Sequence, residues 1–328
     1  MEANLKIPTR RWVLLAPLVV SAVRGASAQE YPTGPIRVIA PGPAASPRDL
    51  RARWVAEQLT AALGRPVIVD NKPGAGGNIG MEAAAKSAPD GRTLVIVDSG
   101  TLAQNPHLYE RPGYNALTDF TPVIVLVEAG LLLAVPAASP VRKISDLVVL
   151  ARASPGKLFY GSAGIATPPH LAAELFSRAA GIDVLHVPYK GSPSVVQDLV
   201  AGRLDYDIDS ISMLQPLVAT GKLRAIAVTG PTRTEALPDV PTFAEAGLPG
   251  ATYVAWTGLA APAGTPAPLI ERLNQELARA LATESARAWF RNQGATVLGG
   301  TPSEFAKRIK ADHERWGEVI RATGIRAE

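Results

Sequence analysis

Asn71-Lys72-Pro73-Gly74-Ala75-Gly76-Gly77-Asn78-Ile79-Gly80 packs four glycines into ten residues. It follows Pro66-Val67-Ile68-Val69, a β-branched run that reads as a buried strand, and precedes Met81-Glu82-Ala83-Ala84-Ala85-Lys86, which reads as a helix. Glycine lets the chain turn sharply and lets another group approach the backbone closely. The helix behind the turn offers unpaired N–H groups and a partial positive charge. That combination suits an anion, whether phosphate or carboxylate. A dinucleotide fingerprint fails, because Ile79 stands where the third glycine of G-x-G-x-x-G belongs. A phosphate loop fails at the same residue. Two readings stay open for the loop alone: an anion site, or a strand–turn–helix corner without a ligand.

Outward from this corner the chain alternates strand and helix. Further β-branched apolar runs lie at 36–40, 94–97, 123–127, 131–135, 184–186 and 225–228. Between them, Asp49 to Leu63 sets Leu50, Trp54, Val55, Leu59 and Leu63 on one stripe, with Gly64 behind. Thr167-Pro168-Pro169 starts a helix carrying Leu171, Leu175 and Phe176. Thr242 to Glu245 and Thr301 to Glu304 both fit the capping box, and 268–283 and 285–293 read as helices. Alternation of this kind predicts an open, largely parallel sheet covered by helices on both faces. Ligands then sit beyond the C-terminal ends of strands. Five loops there are rich in Ser, Thr, Gly and Pro: 41–49, 74–80, 98–101, 161–167 and 188–192. Converging on one cleft, they supply backbone and hydroxyl donors and few reactive groups.

The first 28 residues read as an export signal. Lys6, Arg10 and Arg11 form a basic start, 12–23 is mostly apolar, and Ala26-Ser27-Ala28 fits a cleavage site. The pair Arg10-Arg11 leaves both the general and the twin-arginine route open. Of the formal charge of +4, this leader carries Lys6, Arg10, Arg11 and Arg24 against Glu2, which leaves 29 basic and 28 acidic side chains, or +1. Nothing in that balance calls for nucleic acid. No later segment is long and apolar enough for a bilayer, so the mature chain is expected to be soluble. Cysteine is absent, so an exported chain of 300 residues relies on its core.

Reactive constellations are missing. His107, His170, His186 and His313 lack metal-ligand spacing, and Gly161-Ser162-Ala163-Gly164 has Tyr160 where a nucleophile elbow needs glycine. Asp205, Asp207 and Asp209 alternate along one strand and so share a side. They admit a metal, a solvated face, or one aspartate meeting a ligand amine or water. Lys190 is either a ligand-pairing cation or an exposed loop residue.

Tyr31-Pro32 and the 36–39 strand, 71–80, Ala88-Pro89-Asp90-Gly91, His186-Val187-Pro188-Tyr189-Lys190-Gly191, 237–242, 245–250 and 261–266 together, in order and spacing, strongly resemble the Bug family. These are the TctC-like extracytoplasmic receptors of tripartite tricarboxylate transporters. The resemblance runs from about residue 30 to the C-terminus. It implies an α/β fold of the type II periplasmic binding-protein class, two lobes with a ligand cleft between them. The expected limits are 29–127 with 228–328 for one lobe and 128–227 for the other. It implies neither catalysis nor a cofactor, and a periplasmic location. Implied ligands are small organic carboxylates, with some amides and aromatic acids, and implied partners are the transporter's membrane components. A ligand-sensing subunit that signals to a membrane sensor is the alternative role. Carried over residue by residue, the ligand set is Gly42, Pro43, Ala44, Ser46, Arg48, Asp49, Gly76, Gly77, Asn78, Ser99, Gly100, Thr101, Ser162, Ala163, Gly164, Thr167, Tyr189, Lys190 and Asp209.

The chain departs from the family pattern in the first loop. Gly42 replaces an aromatic, and Ala45-Ser46-Pro47 replaces a glycine run before Arg48, while Asp49 is retained. Arg48 reads either as a bidentate clamp on a ligand carboxylate or as a solvent-facing residue at a helix start. Asp207 is gained beside Asp209, Ser210 replaces an asparagine, and Thr257 stands where an aromatic is usual.

Overall fold

The computed structural model describes residues 1–2, 34–189 and 191–327. The leader from residue 3 onward, Tyr31-Pro32 and Lys190 lie outside the described residues. The first part of the chain forms β1 (Ile36–Ala40), α1 (Pro47–Leu63), β2 (Val67–Asn71), α2 (Asn78–Ala85), β3 (Thr93–Asp98), α3 (Asn105–Leu108) and β4 (Phe120–Ala129). The middle forms β5 (Leu131–Pro136), α4 (Ile144–Ala153), β6 (Phe159–Ser162), α5 (Pro168–Ala180), β7 (Leu185–Pro188), α6 (Ser192–Val200), β8 (Tyr206–Ser210), α7 (Ile211–Ala219) and β9 (Leu223–Val228). The last part adds β10 (Ala255–Pro262), α8 (Ala267–Leu281), α9 (Glu284–Arg291), β11 (Thr296–Gly299) and α10 (Pro302–Thr323).

The expected single, largely parallel sheet is instead two mixed sheets, ordered β11-β4-β10-β3-β1-β2 and β7-β6-β8-β5-β9. Parallel pairing holds for β1 with β2 and β3, and for β6 with β7 and β8. The other pairings are antiparallel. The cause is local. Gly130 alone separates β4 from β5, leaving no room for a crossover helix, so the chain steps directly from one sheet into the other. It returns after β9, and β10 then runs antiparallel between β3 and β4. At the crossing, a Cβ on Gly130 would lie 2.7 Å from the Gly230 nitrogen, so glycine permits the two connecting segments to touch. Thr229 ties them: its N–H donates to Leu131 O at 2.8 Å, and its hydroxyl donates to Tyr253 O at 2.8 Å.

Each sheet buries both faces, and alternation assigns the sides. In β1, Val38 packs with Trp54, Val55 and Leu59 of α1, while Ile39 packs with Met81 of α2. In β8, Tyr206 and Ile208 join Phe176 of α5, whereas Asp207 and Asp209 pair in register with Ala134 and Leu132 on the side of Val195 and Leu214. Trp316 and Ile320 of α10 join the second sheet's core, so the C-terminal helix spans both halves. Among the described residues no helix is long and apolar enough to cross a membrane.

Helix starts follow the sequence signals in α1, α5 and α10, each with proline in the first turn. The capping box at Thr242 to Glu245 is an exception. Thr242 and Glu245 do exchange backbone-to-side-chain hydrogen bonds at 2.8 and 3.0 Å, but the chain turns at Gly247 and no α-helix follows. A left-handed glycine there, at φ +86°, ends the turn before helical bonds can propagate.

Candidate functional site

Three loops meet around Arg48. Its Nε and Nη2 donate to Asp98 Oδ2 and Oδ1 at 2.5 and 3.1 Å, and its Nη1 donates to Pro41 O at 2.9 Å and Gly76 O at 3.0 Å. Thus Arg48 is indeed bidentate to a carboxylate, but the carboxylate is the protein's own; the solvent-facing reading is overturned by the same contacts. Burial alone pulls the guanidinium down and the Asp98 carboxyl up, yet their mutual attraction outweighs it, so both stay charged. Glycine makes room for the pair. A Cβ on Gly77 would lie 2.7 Å from Arg48 Nη1, and one on Gly100 3.1 Å from Asp98 Oδ1. Asp98 Oδ1 also accepts the Thr101 N–H at 2.8 Å, which fixes the loop after β3.

Beneath this pair lies a buried polar network. Asn78 Oδ1 accepts from Asn105 Nδ2 at 2.7 Å and from the Tyr114 hydroxyl at 3.2 Å. Asn105 Nδ2 also reaches Gly76 O at 3.3 Å, and residues 100–104 form a π-helical turn between Ser99 and α3. Asn78 therefore points inward and holds the glycine loop to its neighbour. Its helix α2 still presents its N-terminus at the loop.

The described non-glycine residues with positive φ are Ala45, Ala75 and Ala166, and all three lie in candidate loops. Such a conformation is strained for alanine, by about 1 kcal/mol each. Two are held by the same device. The Ala45 N–H donates to Asp49 Oδ2 at 2.8 Å, just before the Ser46 cap of α1. The Ala166 N–H donates to His170 Nδ1 at 3.0 Å, just before the Thr167 cap of α5. In both helices the third residue reaches back to the strained amide, one in each sheet's half of the chain. Asp49 is 1% exposed and also accepts from Asn71 Nδ2 and Arg53 Nε, at 3.0 and 2.9 Å. Its place in the expected ligand set is therefore that of an internal brace.

A second group forms where β6 and β7 end. Tyr189 N–H donates to Ser162 O at 3.0 Å, which joins loops 162–167 and 188–191. Ser162 Oγ lies 2.6 Å from His186 Nε2, and His186 stacks on His170 with centroids 4.0 Å apart. Burial depresses both imidazoles to about 4, so both are neutral at pH 7. The Tyr189 hydroxyl turns onto Asp198 at 2.7 Å, and Thr167 Oγ1 onto Gly164 O at 2.6 Å. The solvated-face reading of the aspartates fails: Asp207 and Asp209 are 0% and 3% exposed. Among the described residues, both Asp207 oxygens and Asp209 Oδ2 lack hydrogen-bond partners. Burial, then the Asp209 charge, pushes Asp207 well above the carboxylate range. Asp205 is separate, accepting the Phe159 N–H at 2.7 Å. Among the described residues no cluster of three or more such side chains could hold a metal.

The expected residues thus gather as two sets. Gly42, Ser46, Arg48, Gly76, Gly77, Asn78, Ser99, Gly100 and Thr101 belong to the loops around Arg48, with Pro43 and Ala44 exposed on the outer rim. Ser162, Ala163, Gly164, Thr167 and Tyr189 form the second set, and Asp209 lies at the end of β8 beside them. Among the described residues no hydrogen bond joins the sets. Sequence reasoning missed Asp98, Asn105, Tyr114 and His170 as organisers. Asn105-Pro106 after the 98–101 loop, and His170 three residues after a Thr-Pro start, were the available signals.

Comparison with known proteins places this arrangement. The family model described as "Tripartite tricarboxylate transporter family receptor" matches residues 51–325. BugT of Bordetella pertussis is 35% identical over 301 residues, covering 92% of each chain. A solved structure of R. palustris Rpa4515 with adipate superposes with a TM-score of 0.79 at 36% identity, over 90% of this chain and 99% of that one. MatC from Rhodopseudomonas palustris with bound malate gives a TM-score of 0.75 at 32% identity, over 88% and 100% of the two chains.

Proposed function

Because the chain belongs to the receptor family of tripartite tricarboxylate transporters, we propose that it captures a small organic carboxylate and hands it to the membrane components of such a transporter. The family consists of two-lobed α/β periplasmic solute-binding proteins, receptors and not enzymes. In the proposed division, 29–127 and 228–328 form one lobe and 128–227 the other. The ligand sits between the loop set around Arg48 and the set around Ser162. The observation that carries this reading is the pair of braced loop sets at strand ends, rich in main-chain and hydroxyl donors. Two relatives of similar fold hold dicarboxylates, adipate and malate, which supports the ligand class. Closure would bury the anion against helix starts, where N–H groups and the partial positive charge favour it.

Calorimetric titration of the mature protein with mono-, di- and tricarboxylates, amides and aromatic acids tests the proposal. The expected result is one-to-one, saturable binding of at least one acid, recovered unchanged. A flat response to the whole panel overturns it.

A further inference from the structure

The loop after β3 runs on past Thr101 into the π-helical turn, which ends at Gln104. The Gln104 amide carbonyl faces Gly100, 3.8 Å from where a Cβ would stand on that glycine. A short π turn breaks the regular helical ladder, so some of its backbone groups need partners from outside. Here the Thr101 carbonyl accepts the Tyr114 hydroxyl, and the Leu102 carbonyl accepts His313 Nδ1–H at 3.1 Å. Gln104, 1% exposed, turns its Nε2 onto the Tyr253 hydroxyl at 3.2 Å. Tyr253 and His313 both belong to parts that bridge the two halves. Tyr253 is fully buried just before β10; its N–H donates to Thr229 O at 3.0 Å and its carbonyl accepts the Thr229 hydroxyl. That hydroxyl also accepts the Leu131 N–H at 2.8 Å, so the end of β9, the entry to β10 and the start of β5 are knit at one threonine. His313 lies in α10, whose Trp316 packs edge-on against the Tyr253 ring, centroids 5.5 Å apart. A rotation of one half against the other turns about these segments and so displaces Tyr253. Its bond to Gln104 lies in a buried core, where a lost partner is costly to replace. The shape of the loop at Gly100 and the angle between the halves cannot then change independently.

We propose that Gln104 and Tyr253 are positioning residues that link capture of the ligand at the 98–101 loop to closure of the two halves. The inference rests on the carboxylate-receptor reading and deepens it, by naming the contact through which ligand at one loop set draws in the other. Neither residue touches the ligand; both act through the loop that does.

The chain has no cysteine, so a dye pair can be attached through Glu57→Cys in α1 and Arg178→Cys in α5, both exposed. Energy transfer between the dyes is followed while the tightest acid of the panel is titrated into the labelled mature protein and into its Gln104→Met, Tyr253→Phe and doubly substituted forms. The labelled parent is expected to show one change of distance that saturates with binding. Each single variant is expected to bind about tenfold more weakly and to close only about half of its molecules at saturation, as loss of the closed state requires. The double variant is expected to be no worse than the weaker single one, because both substitutions cut the same link. Tyr253→Phe removes one oxygen and leaves the ring on Trp316, so it tests the link even where the glutamine variant does not fold. A merely structural role would lower stability and leave closure complete at saturation. Complete closure in Tyr253→Phe, losses that multiply in the double variant, or a parent that binds acid with no change of distance overturns the inference while leaving the receptor reading intact. A parent that binds no acid overturns the receptor reading itself.

Discussion

Asp207 sits in β8 in register with Ala134, fully buried and, among the described residues, without a hydrogen-bond partner. A carboxyl whose folded pKa is raised keeps its proton when the unfolded chain has lost it. Stability from this group is therefore greatest below the unfolded value and falls as pH rises through the folded value. Asp207→Asn removes that dependence, and denaturant unfolding at pH 7–8 should show the variant more stable by about 1–2 kcal/mol. His170 has the opposite sign. Its folded value of about 4 lies below the ordinary 6.5, so protonation favours the unfolded chain, and stability falls as pH drops between those values. The loss on the way to pH 4 is on the order of 2–3 kcal/mol from His170, and His170→Asn should flatten that limb of a pH–stability profile. Neither role was legible in the sequence. Alternation put Asp207 and Asp209 on one side correctly, while Asp205 precedes β8 and turns onto the Phe159 N–H; which side faces solvent depends on α6 and α7 covering it, and that is a tertiary fact.

At the scale of elements, α1 and α5 begin alike: a left-handed alanine, a hydroxyl residue at the N-cap position, a proline, and a third residue bonded back to the alanine amide. The caps and prolines were readable, because they are local chemistry. The strained alanines were not, since alanine carries no sign of positive φ. Arg48 shows the limit from the other side. Its fork geometry predicted a carboxylate partner, but only the placement of β3 beside β1 shows that the partner is Asp98. Strand β10 also went unread, because its run from Trp256 pairs antiparallel with strands distant in sequence. Asp49→Ala deletes three hydrogen bonds, to Ala45, Asn71 and Arg53. It should lower stability by about 2–4 kcal/mol in chemical denaturation and weaken ligand binding, whereas Asp49→Asn recovers part of both.

For the whole molecule, two sheets are joined at Gly130 and at the segment through Thr229 and Gly230, with α10 packed on both. Few segments cross between the halves, and the candidate loops lie at strand ends on each, the geometry that hinge closure on a small ligand requires. The resemblance in the sequence anticipated two lobes where periodicity alone pointed to one parallel sheet, because strand direction is not written in a strand's own residues. The central claim is that one small acid is gripped by both loop sets at once. Amide hydrogen exchange with and without the tightest-binding carboxylate tests it most directly. Slowed exchange is predicted in 41–49, 74–78 and 99–101 together with 162–167 and 188–191. Protection confined to one of the two sets, or appearing only elsewhere, would contradict it.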